Sequence, residues 1–82
     1  MADPKELIDK YLKDNTLKDA NKIGDDTLIF QEGFFDSMGF VLLIDFIENK
    51  FGIRTNDEDL IEENFESINA ISNYISRKLT IN

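Results

Sequence analysis

Asp36-Ser37-Met38-Gly39 places one hydroxyl between a carboxylate and the start of a long apolar run. At the N-terminus of a helix, unpaired N–H groups and the positive end of the dipole favour a phosphate. A serine at that position could therefore carry a phosphoester. Taken alone, though, a serine there is more often the helix N-cap, its hydroxyl accepting from a backbone N–H. Other chemistry is removed by composition. The chain has no histidine and no cysteine, so a Ser-His-Asp or Cys-His arrangement cannot be built. A zinc site would need carboxylates alone. Asn56-Asp57-Glu58-Asp59 with Glu62-Glu63 is acid-rich but lacks the central glycine and alternating ligand spacing of a calcium loop. It reads as a solvated short helix, and no metal site is expected.

The elements that must hold Ser37 can be read from caps and periodicity. Asp3-Pro4-Lys5-Glu6 is a helix start, with Asp3 as N-cap, Pro4 at the first helical position and Glu6 at the capping-box position. Leu7, Ile8, Tyr11 and Leu12 then share one face, and the helix should end near Asp14-Asn15. Residues 15–36 form a long connection punctuated by Asn15, Gly24, Asp25-Asp26 and Gly33. Seven apolar side chains run through it, so it should be packed down, with a helical turn over Thr27–Gln31. A second helix should begin at Ser37 and end at Gly52, with Lys50 in its last turn. It is apolar on every face from Phe40 to Ile44, so a large side chain such as Phe40 or Leu42 must point outward or into a partner. A short third helix is expected over Asp57–Glu62, capped by Thr55 or Asn56 and anchored by Leu60 and Ile61. Ser67 should cap the last helix, whose stripe is Ile68, Ile71, Ile75 and Leu79, flanked by Ala70 and Tyr74. The fold class is all-α, a small bundle of three main helices plus one short helix with a long first loop. Its 82 residues predict a single domain, 1–82.

Charge narrows the partners. Seventeen acids oppose nine bases for a net charge of −8, which repels nucleic-acid phosphates. Residues 25–66 hold twelve acids and two bases, while residues 1–24 are neutral. This concentrated acidic surface suits a partner with a basic patch, at rates that fall with salt. No apolar run is long enough to span a bilayer. The first residues lack the basic-then-apolar order of a signal peptide. A cytoplasmic, monomeric, stand-alone protein is expected.

Gly33-Phe34-Phe35-Asp36-Ser37-Met38 resembles the attachment motif of the acyl carrier protein family, an Asp-Ser-Leu or Asp-Ser-Met before an apolar helix. Val41, Leu42, Ile44, Ile47 and Glu48 resemble its second helix, with Phe51-Gly52-Ile53 as the exit. Asn64-Phe65-Glu66-Ser67-Ile68, then Ala70-Ile71 and Tyr74-Ile75, resemble the link into its last helix. Asp25-Asp26-Thr27-Leu28 and Gly33 resemble its first loop, so the likeness runs over about residues 5–79. The resemblance implies that Ser37 carries 4′-phosphopantetheine, supplied from coenzyme A by a phosphopantetheinyl transferase. The terminal thiol would hold acyl groups as thioesters between enzymes of fatty-acid, polyketide or lipid biosynthesis, and the chain itself would catalyse nothing. Asp36, Met38, Asp45 and Glu48 would help dock acyl- or aminoacyl-handling enzymes, beside Phe40 and Leu42. Gly39 and Leu42 stand where many fatty-acid carriers have acids, which implies a more apolar docking face and a dedicated partner. The Glu-Gly-apolar-apolar-Asp-Ser-Met-Gly order is also similar to D-alanyl carriers loaded by adenylating ligases, whose tryptophan-containing region is absent here. An acidic helical interaction module without a prosthetic group is the remaining alternative.

Overall fold

A computed structural model describes residues 3–80. Residues 1–2 and 81–82, the outer ends of the expected 1–82 domain, lie outside that range. Three long helices and a short one make an all-α bundle: α1 (Pro4–Asn15), α2 (Ser37–Phe51), α3 (Glu62–Phe65) and α4 (Ile68–Thr80). Two 3-10 turns, Ala20–Lys22 and Asp57–Asp59, lie in the connections. No strand occurs among the described residues.

Local chemistry sets the helix ends. Asp3 caps α1, but its carboxylate accepts from Lys5 N at 3.3 Å rather than from Glu6 at the capping-box position. Gly52 closes α2 with φ 66°, and its N–H donates to Glu48 O at 3.0 Å. This left-handed cap is why glycine stands there. Ser67 caps α4, its hydroxyl accepting from Ala70 N at 3.1 Å.

The core is built from Ile8 and Leu12 of α1, Leu43 and Ile47 of α2, Phe65 of α3, and Ile68, Ile71, Tyr74 and Ile75 of α4. α1 packs on α4, and α3 packs on α4. Tyr74, not Leu79, completes the stripe of α4. Its ring lies 4.9 Å from that of Phe65, while Leu79 is exposed.

The long first loop contributes Ile23, Ile29, Phe34 and Phe35 to the core. Leu17, expected among its packed residues, is 68% exposed. A turn over residues 28–33 is closed by Glu32 N to Leu28 O at 2.9 Å. Backbone bonds then tie the loop to its neighbours: Ile29 N to Glu66 O at 2.9 Å, Asn69 N to Asp25 O at 3.1 Å and Leu17 N to Phe34 O at 3.0 Å. Lys5 of α1 adds an ion pair to Asp25 at 2.8 Å.

The third helix differs from expectation in place and anchor. Asp57–Asp59 makes only a 3-10 turn, with no side-chain cap from Asn56, and the α-helix forms over Glu62–Phe65. Leu60 and Ile61 are exposed, and the anchor is the fully buried Phe65. One large ring inserted among the other helices holds a four-residue helix that has little intrinsic stability. Asn64 Nδ2 donates to Asp59 O at 2.8 Å and so joins the turn to the helix.

Candidate functional site

The first turn of α2 assigns different tasks to Asp36 and Ser37. Asp36, with extended φ −108° and ψ −169°, is the N-cap; its Oδ1 accepts from Gly39 N at 2.9 Å. Its carbonyl takes the first helical bond, from Phe40 N at 3.0 Å. The expectation that Ser37 could itself cap the helix is corrected: the carboxylate one residue earlier fills that role. Ser37 becomes the first helical residue, exposed, with its hydroxyl left out of the cap. An exposed hydroxyl at the positive end of a fifteen-residue helix is suited to a phosphoester.

Gly39 has a packing reason. A Cβ there would lie 3.0 Å from Phe35 Cδ1 and 3.2 Å from Phe35 Cβ. The glycine lets the buried Phe35 sit directly against the first turn of α2.

Ser37 lies at the edge of an open groove of about 610 Å³, lined also by Phe30, Gln31, Phe35, Asp36, Phe40, Val41 and Glu62. The groove runs between the end of the first loop, α2 and the start of α3. Its apolar wall belongs to a chain of rings. Phe35 meets Phe30 at 6.3 Å between centroids, Phe30 meets Phe40 at 5.6 Å, and Phe40 meets Phe65 at 5.6 Å. Phe65 then meets Tyr74 in α4. The Tyr74 hydroxyl donates to Asp59 Oδ2 at 3.0 Å, and Lys78 Nζ approaches the same oxygen at 3.4 Å. The ring chain thus links the groove to α2, α3 and α4.

The residues expected to dock partners are placed in three ways. Met38, Leu42 and Asp45 are exposed and share one face of α2 at i, i+4 and i+7. Val41, also exposed, lies on the same face; its spacing of three from Met38 was the signal for it. Phe40 is half-buried in the ring chain and faces the groove. Glu48 is half-buried near the far end of α2, where Oε2 accepts from Thr55 Oγ1 at 2.6 Å and Thr55 N at 2.9 Å. Those two bonds hold its carboxyl below the usual range. Asp59 is likewise held low, chiefly by the Tyr74 hydroxyl. Burial, then the bond to Asp59, pushes the Tyr74 phenol upward.

Nothing local in the sequence pairs Gln31 with Glu62. They lie thirty-one positions apart, and only the fold brings Gln31 Nε2 to 3.0 Å from Glu62 Oε2. Asp59, from the acid-rich stretch, is engaged by Tyr74 and Lys78. Among the described residues no three histidine, cysteine, aspartate or glutamate side chains gather to hold a metal ion. No described helix is long and apolar enough to cross a membrane.

The family model described as "Phosphopantetheine attachment site" matches residues 6–75, which run from α1 to the last buried residue of α4. No curated protein matches the chain.

Proposed function

Since the chain belongs to the phosphopantetheine attachment-site family, whose members are carriers and not catalysts, we propose that it is an acyl carrier protein with Ser37 as the attachment residue. Such a domain receives 4′-phosphopantetheine covalently, and when bound the group supplies a thiol that holds an acyl group as a thioester. The observation that carries the assignment of Ser37 is the Asp36 cap. Because Asp36 satisfies Gly39 N, the Ser37 hydroxyl has no structural task at the helix start. The residues present fit the group: an exposed hydroxyl, a helix N-terminus for the phosphate, and a groove beside them.

Ser37 Oγ forms a bond to the phosphorus that coenzyme A presents, and the P–O bond to the adenosine 3′,5′-bisphosphate leaving group breaks. The hydroxyl proton passes to a base of the transferase, since this chain has no histidine to take it. Asp36 orients the turn, and Met38, Val41 and Leu42 offer an apolar face to the enzymes that load and unload the carrier. Asp45 borders that face and favours a partner with a basic rim. Phe40 supports the face from within the groove, and Glu48 supports it by fixing the chain at Thr55. Residues 1–82 act as one monomeric carrier domain in the cytoplasm, passing acyl groups in fatty-acid, polyketide or lipid biosynthesis. The second reading is an aminoacyl cargo loaded by an adenylating ligase; the absence of any base lining the groove favours it over an anionic cargo.

Incubation with coenzyme A and a broad-specificity transferase should raise the mass by one phosphopantetheinyl group. Ser37→Ala should abolish the gain. Undiminished modification of Ser37→Ala would refute the assignment.

A further inference from the structure

The segment that leads into Ser37 is fastened by the opposite end of the first loop. Thr16, half-buried at the C-cap of α1, uses its hydroxyl twice: Oγ1 donates to Phe34 O at 3.3 Å and accepts from Lys18 N at 3.1 Å. Leu17 N donates to the same Phe34 carbonyl at 3.0 Å. Both lone pairs of that carbonyl are thus taken up by the two residues that follow α1. Lys18 adds a further tie: Nζ donates to Glu32 O at 2.8 Å and lies 5.8 Å from the centre of the Phe34 ring. Gly33 between them has φ 82°, and a Cβ there would lie 3.2 Å from Lys18 Nζ. Glycine at 33 therefore serves both the turn and the approach of the lysine. On the other side, Phe34 N and Phe35 N donate to Ile29 O at 2.9 Å and 3.1 Å.

We infer that Thr16 is a positioning residue for the loading of Ser37: it holds Phe34 and Phe35 on one path and so sets the first turn of α2 in the form a transferase accepts. The inference rests on Ser37 being the attachment residue. The route from Thr16 to the site is short. Phe34 is followed by Phe35, whose ring packs against Gly39, and then by Asp36, whose carboxylate caps Gly39 N. Asp36 makes that bond from an extended backbone, which the fixed Phe34 carbonyl leads into. Burial of the two rings is non-directional and tolerates small rotations of this backbone. Hydrogen bonds with defined angles do not. Without the Thr16 hydroxyl the segment samples other paths, and only the clasped fraction of chains binds the transferase. Apparent affinity falls with that fraction, while the chemistry of the bound form is unchanged.

Thr16→Val keeps the shape of the side chain and loses both hydroxyl bonds; Thr16→Ser keeps them. Each variant is loaded from coenzyme A by a broad-specificity phosphopantetheinyl transferase, well below its melting temperature, and the product is read by mass. Thr16→Val should raise KM for the carrier about two- to fivefold with kcat unchanged. It should also speed hydrogen exchange at the Phe35 amide, now bonded to Ile29 O. Thr16→Ser should restore both values. Ile71→Val, in the buried face of α4 and outside the groove, lowers stability without touching the clasp and should leave KM at the parent value. A parent-like KM in Thr16→Val, a loss confined to kcat, no rescue by serine, or an equal rise of KM in Ile71→Val would each overturn the positioning role. A parent chain that gains no mass, or a gain that survives Ser37→Ala, would instead overturn the attachment reading, and this role with it.

Discussion

If Asp36 is replaced by alanine, Ser37 becomes the nearest side-chain hydroxyl to the uncapped N–H groups of α2. The lost cap, now a 2.9 Å bond from Gly39 N, should cost about 0.5–2 kcal/mol, read as a lower urea midpoint. Asn caps a helix about as well as Asp, so Asp36→Asn should keep most of that stability while removing the charge. Modification kinetics of the two variants then separate the cap from electrostatic docking. Gly39→Ala tests a different contact. In an exposed helix interior the change would stabilise by about 1 kcal/mol. Here a Cβ would meet Phe35 at 3.0–3.2 Å, and Phe35 is buried with little room to move. The variant should therefore melt below the parent. The sequence made Ser37 visible as the hydroxyl between a carboxylate and the apolar run of α2, but it could not choose between Asp36 and Ser37 as cap. Both residue types cap well, and only the backbone angle at position 36 decides.

At the scale of elements, the link from α2 to α4 depends on buried rings and a few engaged carboxylates. Phe65→Ala would remove the ring that anchors α3 between Phe40 and Tyr74, at a cost of about 3–5 kcal/mol by chemical denaturation. The same link should set the pH limits. Glu48 and Asp59 have carboxyl groups held below their ordinary range by hydrogen bonds. Their contribution is complete above the unfolded carboxylate values and is lost as pH falls through the lowered ones. Tyr74 behaves oppositely. Burial and the bond to Asp59 raise its phenol above the ordinary value near 10. Its neutral form stabilises the fold below that value, and the benefit is lost as pH rises beyond it. Melting temperature against pH should therefore fall at both ends. Glu48→Gln should flatten the acid limb, and Tyr74→Phe the alkaline one; an unchanged alkaline limb in Tyr74→Phe would contradict this account. Caps and periodicity made α1, α2 and α4 readable, because Asp3-Pro4, Gly52 and Ser67 act within one turn of chain. The place of α3 was not readable for the opposite reason. Leu60 and Ile61 look like anchors locally, but the Phe65 ring finds its partners in α2 and α4. The Gln31–Glu62 bond was hidden in the same way.

Over the whole molecule, a net negative charge accompanies an exposed apolar face on α2. The net charge is −8, all of the excess arising within residues 25–66. On α2, Met38, Val41 and Leu42 are 63%, 58% and 53% exposed, with Asp45 one turn further along. The two features should act on different stages of an encounter. Long-range charge raises the rate at which a basic partner arrives, and salt screens it. Apolar contact holds the complex once water is expelled, and salt affects it little. With the phosphopantetheinyl transferase as partner, kcat/KM measured against ionic strength should resolve the two. Asp45→Asn should lower kcat/KM at low salt and converge on the parent at high salt. Leu42→Ser should lower it at every salt concentration. Leu42 is already half covered, so burying the rest contributes about half of the 1.5–3 kcal/mol of a full leucine burial, and the loss should be roughly four- to fifteenfold. A Leu42→Ser defect that disappears at high salt would mean that the apolar face is not covered by the partner, and that charge alone brings the two together.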